Sequence, residues 1–227
     1  VQTPDAKRLQ IYNQALSLKL GGERLASLTD DVESRYVLDT AWQDDDRPVR
    51  LVLGEADWTW AVRGVSVEVL YDANGEKLLE PNFGYDYAME KPQDMLRLVG
   101  LSQDERFARS MVDREYKNEG RYWFTNTPTV YARYVSDLDD YGFNAALWRE
   151  EFVDVVAARL AFDVCERIRD SRVKRQEMWE EYKALLNHAT GLEGMTEGVQ
   201  FLQSGSWSRS RRSSSRWSRD SRGNWGA

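Results

Sequence analysis

Trp148-Arg149-Glu150-Glu151-Phe152-Val153-Asp154-Val155-Val156-Ala157-Ala158-Arg159-Leu160-Ala161-Phe162-Asp163-Val164-Cys165 is the stretch whose pattern decides the fold. Trp148, Phe152, Val156, Leu160 and Val164 recur every four residues, and Val153, Ala157, Ala161 and Cys165 run beside them. Apolar residues at this spacing line one side of an α-helix, and a stripe this wide is wide enough to be buried. Downstream, Met178, Tyr182, Leu185 and Ala189 form a second helical seam with Trp179 and Leu186 alongside. Its outer face is rich in Glu, Lys and Arg, and Gly191-Leu192-Glu193-Gly194 is expected to end it.

Upstream, the periodicity changes from helical to alternating. Val65-Ser66-Val67-Glu68-Val69, Tyr85-Asp86-Tyr87-Ala88-Met89, Leu96-Arg97-Leu98-Val99, Arg121-Tyr122-Trp123-Phe124 and Val130-Tyr131-Ala132-Arg133-Tyr134-Val135 read as strands. Asn74-Gly75 is a hairpin signal, and Glu119-Gly120 and Asn126-Thr127-Pro128 are turn punctuation. An antiparallel meander of about five strands is expected over roughly 63–136.

Before it, three helices are expected. In the first, Thr3 caps, Pro4 and Asp5 suit the first turn, Leu9, Tyr12, Ala15 and Leu16 share a face, and Gly21-Gly22 stops it. A second starts near Thr29 or Asp30, where Asp30 and Glu33 resemble a capping box. Its apolar face takes Val32, Tyr36 or Val37, Leu38, Ala41 and Trp42, and Asp44-Asp45-Asp46 ends it. Pro48 opens a third helix carrying Val49, Val52, Leu53, Ala56 and Trp60. The expected fold is α+β. A mainly α-helical bundle of about five helices (1–62 and 137–197) holds an inserted antiparallel β module (63–136), followed by an extended C-terminal arm (198–227).

The 227 residues are 41% hydrophobic and 30% charged, an ordinary globular balance that excludes wholesale disorder. No run approaches the roughly 18 apolar residues of a membrane span. The polar opening Val1-Gln2-Thr3-Pro4 does not read as an export signal, so synthesis in a cytosol is expected. One cysteine, Cys165, excludes an internal disulfide framework, and one histidine, His188, excludes a His-rich metal site. Neither standard glycine-rich nucleotide fingerprint is present, nor is the strand-turn-helix serine motif of hydrolases. Composition therefore argues against an enzyme, and no cofactor is expected. The charge is unevenly divided. Residues 198–227 hold six arginines and one acid, a balance of +5, which leaves 25 bases and 37 acids, or −12, in residues 1–197.

Asp30-Asp31, Asp44 to Asp46 and Asp139-Asp140 are types that ligate hard cations, but their spacing lacks a cation-loop pattern and reads better as caps and solvated loops. His188 reads as a surface or interfacial histidine, and Cys165 as an inert buried thiol. Of the aromatics, Trp58, Trp60, Trp123 and Trp148 read as core. Trp207 and Trp217, with Arg209, Arg211, Arg212 and Arg216, sit in an Arg/Ser-rich segment that has no core of its own, as does Trp225. Trp and Arg are the residue types that dominate interface hot spots, so these six are the candidate partner-binding residues. Phosphate neutralisation by the same arginines is the competing reading, opposed by the acidic body.

The order of segments resembles the head-to-tail adaptor family of tailed bacteriophages, also called head completion proteins or tail tubular protein A. The resemblance runs through Ile11-Tyr12-Asn13-Gln14-Ala15-Leu16, Leu25-Ala26-Ser27-Leu28-Thr29-Asp30 and Arg35-Tyr36-Val37-Leu38-Asp39-Thr40-Ala41-Trp42. It continues through Asp57-Trp58-Thr59-Trp60-Ala61, Phe83-Gly84-Tyr85-Asp86-Tyr87-Ala88 and Lys91-Pro92-Gln93-Asp94. Tyr131-Ala132-Arg133-Tyr134-Val135-Ser136, Leu147-Trp148 and Gly205-Ser206-Trp207-Ser208-Arg209-Ser210-Arg211 complete it. It implies a structural virion protein of the neck, in a ring of about twelve copies, bound through Trp207 and the arm's arginines to the portal at the capsid vertex. A tail or nozzle protein follows below, and genomic DNA passes through the lumen without specific binding. The Arg/Ser/Trp extension beyond the Gly-Ser-Trp segment departs from the family, leaving portal, neighbouring subunit and DNA open as its partner. A nucleic-acid-binding protein acting through the basic arm, and a neck protein with cell-wall hydrolase activity, are the alternative functions.

Overall fold

The helix read from residues 148–165 is the central element. In a computed structural model, which describes residues 4–42, 46–71, 77, 79, 81, 84–112 and 114–196, α4 spans Glu150–Arg169. Its Phe152, Val153, Val155, Val156, Ala157, Ala158, Leu160, Ala161, Val164 and Cys165 are buried. Burial on so many positions requires neighbours on several sides, and α4 packs against every other helix: α1 (Pro4–Asn13), α2 (Glu33–Trp42), α3 (Arg47–Glu55) and α5 (Arg172–Thr196). Asp170, in the left-handed region at φ +46°, makes the corner into α5. The strands lie between α3 and α4 in chain order. The described residues form a mixed α+β fold of five α-helices and two antiparallel sheets of three strands each.

The sheets are not a meander. One has the order β1 (Val62–Glu68), β6 (Thr129–Ser136), β3 (Met95–Ser102), and the other β2 (Tyr87–Glu90), β5 (Tyr122–Thr125), β4 (Tyr116–Glu119). The last strand is therefore the middle of the first sheet, paired Val62↔Val135 on one side and Ser102↔Tyr131 on the other. Among the described residues six strands stand where about five were expected. The additional one, Tyr116-Lys117-Asn118-Glu119, is polar and exposed enough to lack alternation, and it forms through the tight turn at Gly120 (φ +50°) into β5. The strand expected at 85–89 begins only at Tyr87. Asn74-Gly75 lies outside the described residues.

The first helix is α-helical only to Asn13, and Gln14–Leu20 form a π-helix closed by Gly21 in the left-handed region (φ +65°). Ile11, Tyr12, Ala15, Leu16 and Leu20 are all buried across the change. No capping box opens α2. The Asp30 carboxylate instead accepts the amides of Ala26 and Ser27 upstream, at 2.6 and 3.1 Å, and the helix begins at Glu33. Val37, Leu38 and Trp42 are buried as expected, whereas Val32 and Tyr36 are exposed. Helix α3 stops at Glu55, because Ala56 is extended, and Trp60 lies in a short 3-10 turn, Thr59–Ala61. Helix α5 does not stop at Gly191-Leu192-Glu193-Gly194. Glu193, buried within that motif, accepts hydrogen bonds from Thr59 and pairs with Arg149 at 3.1 Å, which holds the glycine-flanked turn in the helix.

Two cores result. The larger gathers the helices with Trp58 and Val135, and Val62, Leu96 and Val99 pack against this cluster, so one end of the first sheet enters the helical core. The smaller holds Val69, Met89, Leu101, Trp123, Val130, Ala132 and Tyr134 between the sheets. No helix among the described residues is long and apolar enough to cross a membrane.

Candidate functional site

Two clusters join the helices to the sheet, and both are built from the segments singled out in the sequence. The first is aromatic. Phe152 lies 4.9 Å from Trp58, 4.9 Å from Trp60 and 5.6 Å from Trp148 between ring centroids. The first two contacts are edge-on, the arrangement that ring quadrupoles favour. Trp58 donates its indole N–H to the Val52 carbonyl and Trp148 to the Gly142 carbonyl, each at 2.9 Å. Trp58 and Trp123 are buried, while Trp60 and Trp148 are half-buried against the core.

The second cluster is polar and centred on Asp94, in the turn before β3. Its carboxylate accepts hydrogen bonds from the Ser136 hydroxyl (2.6 Å), the Tyr134 hydroxyl (3.1 Å) and the Arg63 guanidinium (2.9 Å). Burial pushes this carboxyl up, but the three donors together hold it below the usual carboxylate value. Burial and the facing carboxylate push the Tyr134 phenol up to about 12. An ionised acid is thus ringed by donors that keep their protons, which is a fully satisfied charge. Next to it, Asp137 pairs with Arg50 at 2.5 Å, joining the strand end to α3. Burial raises the Asp137 carboxyl; Arg50 opposes that shift and the Asp94 charge adds to it.

Replacing Asp94 by asparagine is expected to destabilise the chain by about 2 kcal/mol, the order of a charge-assisted hydrogen-bond set. Because the folded-state pKa is depressed, this contribution is present above the ordinary carboxyl range and fades as pH falls through the lower folded value. Urea titrations between pH 7 and pH 2.5 check this. The gap between wild type and Asp94→Asn should narrow on the acid side, and a gap constant across that range would refute the assignment.

The six candidate residues of the arm, Trp207, Arg209, Arg211, Arg212, Arg216 and Trp217, lie outside the described residues. What the structure places is the point from which the arm departs. The last turn of α5 ends at Thr196, next to Glu193, whose carboxylate accepts the Thr59 hydroxyl at 2.5 Å. A groove there is lined by Glu55, Asp57, Arg97, Thr190 and Glu193. His188 is exposed on α5, and Cys165 is buried, with its thiol pushed up by burial. Among the described residues no three His, Cys, Asp or Glu side chains converge as a metal site.

Sequence reasoning noted Lys91-Pro92-Gln93-Asp94 and Tyr131 to Ser136 only as parts of a pattern. That Asp94 unites them with Arg63 was missed, because the partners are 31 to 42 residues apart. The role of Glu193 was missed for the same reason. Comparison with models of known protein families finds none that matches this chain, and comparison with curated proteins also finds no match.

Proposed function

We propose that this protein is a ring-forming head-to-tail adaptor of a tailed bacteriophage, a structural and non-enzymatic component of the virion neck. The observation that carries this reading is the ordered run of family-like segments from Ile11 to Arg211, which covers nearly the whole chain. It is supported by where those segments lie. Trp58, Trp60 and Trp148 build one joint and Asp94, Tyr134 and Ser136 the next, so residues of the family-like segments brace the junction between the helices and the sheet. A mainly helical bundle (1–62 and 137–197) forms the collar, the inserted β module (63–136) meets the tail or nozzle protein, and the arm (198–227) reaches the portal. About twelve copies multiply modest single-copy contacts into a stable joint. An acidic body repels phosphate, which suits a conduit that DNA must slide through.

Size-exclusion chromatography with light scattering, on the full chain and on residues 1–203, each with and without the cognate portal ring, tests this. The full chain is expected to join the portal in about twelve copies and the shortened chain to stay unbound. Equal binding by both would remove the arm as the dock, and no binding by either would remove the portal as the partner. The six arginines favour a second reading, binding of nucleic acid through the arm. It requires DNA affinity that falls steeply with salt and disappears in residues 1–203.

A further inference from the structure

An open sheet edge and an aromatic groove lie side by side on the β-rich part. Among the described residues β1 is hydrogen-bonded on one side only, to β6, and its other edge is unpaired over Val62–Glu68. Unpaired edges are templates for an added strand, and proteins usually blunt them with proline, bulges or cover. Among the described residues β1 holds no proline and pairs with β6 without a bulge, and its outward residues Gly64 and Ser66 are small and exposed.

Gly64 and Ser66 stand opposite Arg133 and Tyr131 of β6, so the four share one face of the sheet. There they line a groove of about 450 Å³, with Glu105 and Phe107 completing it. Phe107 holds a left-handed backbone (φ +55°), rare for a bulky residue. Its ring rests over Gly100 of β3, where a Cβ would meet it at 3.3 Å, and the Arg133 guanidinium lies 5.8 Å from its centroid. The groove thus has an aromatic wall on the β3 side and small residues on the open β1 side. Exposed Glu68 and Glu105 supply negative charge beside it.

The same chain contains a segment with complementary chemistry. In Ser206-Trp207-Ser208-Arg209-Ser210-Arg211 the residues alternate, so an extended backbone sets Trp207, Arg209 and Arg211 on one face and serines on the other. Helix α5 ends at Thr196, and Glu193 is bonded to Thr59, three residues before β1 begins. The nine residues 197–205 reach up to about 30 Å when extended. The edge of β1 is only about 20 Å long. We propose that residues 206–211 add to the open edge of β1 in their own chain, with Trp207 in the groove between Phe107 and Tyr131 and the arginines toward Glu68 and Glu105. This stows the arm and closes an edge that would otherwise pair with other chains. The inference concerns the unassembled chain and stands apart from the adaptor reading.

Amide hydrogen exchange on the full chain tests it, comparing wild type with a Trp207→Ala, Arg209→Ser, Arg211→Ser variant whose changes avoid both cores. Amides of residues 62–68 are expected to exchange about tenfold faster in the variant, with α4 unchanged. Unchanged rates at β1 would overturn the proposal. A full-length chain with Ser66→Cys and Arg209→Cys, which the proposal sets on the same face of the sheet, identifies the occupant. Oxidation at micromolar concentration should give a disulfide within one chain. A bond formed only between chains would assign the edge to a second copy's arm, and no bond would leave the groove to another partner; either result overturns the same-chain assignment.

Discussion

Replacing Phe152 by alanine is expected to destabilise the chain by about 4 kcal/mol, in the range for a buried aromatic truncated to a methyl group. Phe152 is fully buried and is the one ring that touches Trp58, Trp60 and Trp148 together. Its removal withdraws apolar area and leaves a cavity walled by three indoles. Trp58 and Trp148 are tied to backbone carbonyls and cannot collapse inward without breaking those bonds. A loss of about 4 kcal/mol is a large share of the roughly 5–15 kcal/mol that holds a domain folded. Urea unfolding followed by tryptophan fluorescence measures it, and the denaturant slope should stay unchanged if only stability moves. Phe152→Leu keeps most of the volume and should recover more than half of the loss. A cost below about 1.5 kcal/mol for alanine would mean that the indoles repack and that Phe152 is not the joint described here.

The second large effect is expected at Gly142, in the loop between β6 and α4. A Cβ there would lie 2.2 Å from the Ser136 carbonyl oxygen and 2.9 Å from the Leu53 side chain. The first obstacle is backbone and cannot swing away. The Gly142 amide donates to that same carbonyl at 3.1 Å, and the Gly142 carbonyl accepts the Trp148 indole. Relieving the clash therefore loosens both bonds, together with the strand end at which Ser136 donates to Asp94. Overpacking typically costs about 1–3 kcal/mol. Buried hydrogen-bonding groups left unpaired add about 1–3 kcal/mol each. Gly142→Ala should thus cost about 3 kcal/mol or more, read by the same titration. It should also couple to Asp94→Asn, so that the double variant loses less than the two single losses combined. Independent, additive losses would show that the loop and the carboxylate cluster are separate.

The sequence by itself determined the elements whose information is local. The four-residue spacing from Trp148 to Val164 named the face of α4 that is buried, because a helix shows its burial in its own period. Trp58 and Trp123 as core, Cys165 as a buried thiol and His188 as exposed were legible in the same way. Strand order was not, because alternation reports which face of a strand is covered and says nothing of its neighbour. Only the tertiary structure set β6 between β1 and β3, across about 70 residues of chain from the first of them. It also overrode local signals. The glycines at 191 and 194 stayed helical because Glu193 found Thr59 and Arg149, and Asp30 turned from a cap to an upstream loop clasp. Tyr36 was left on the outside of α2, and Val32 exposed just before it, although both continue its apolar pattern. The joint at Asp94 has the same origin: four side chains from distant segments meet because a buried carboxylate must find donors wherever the fold brings them.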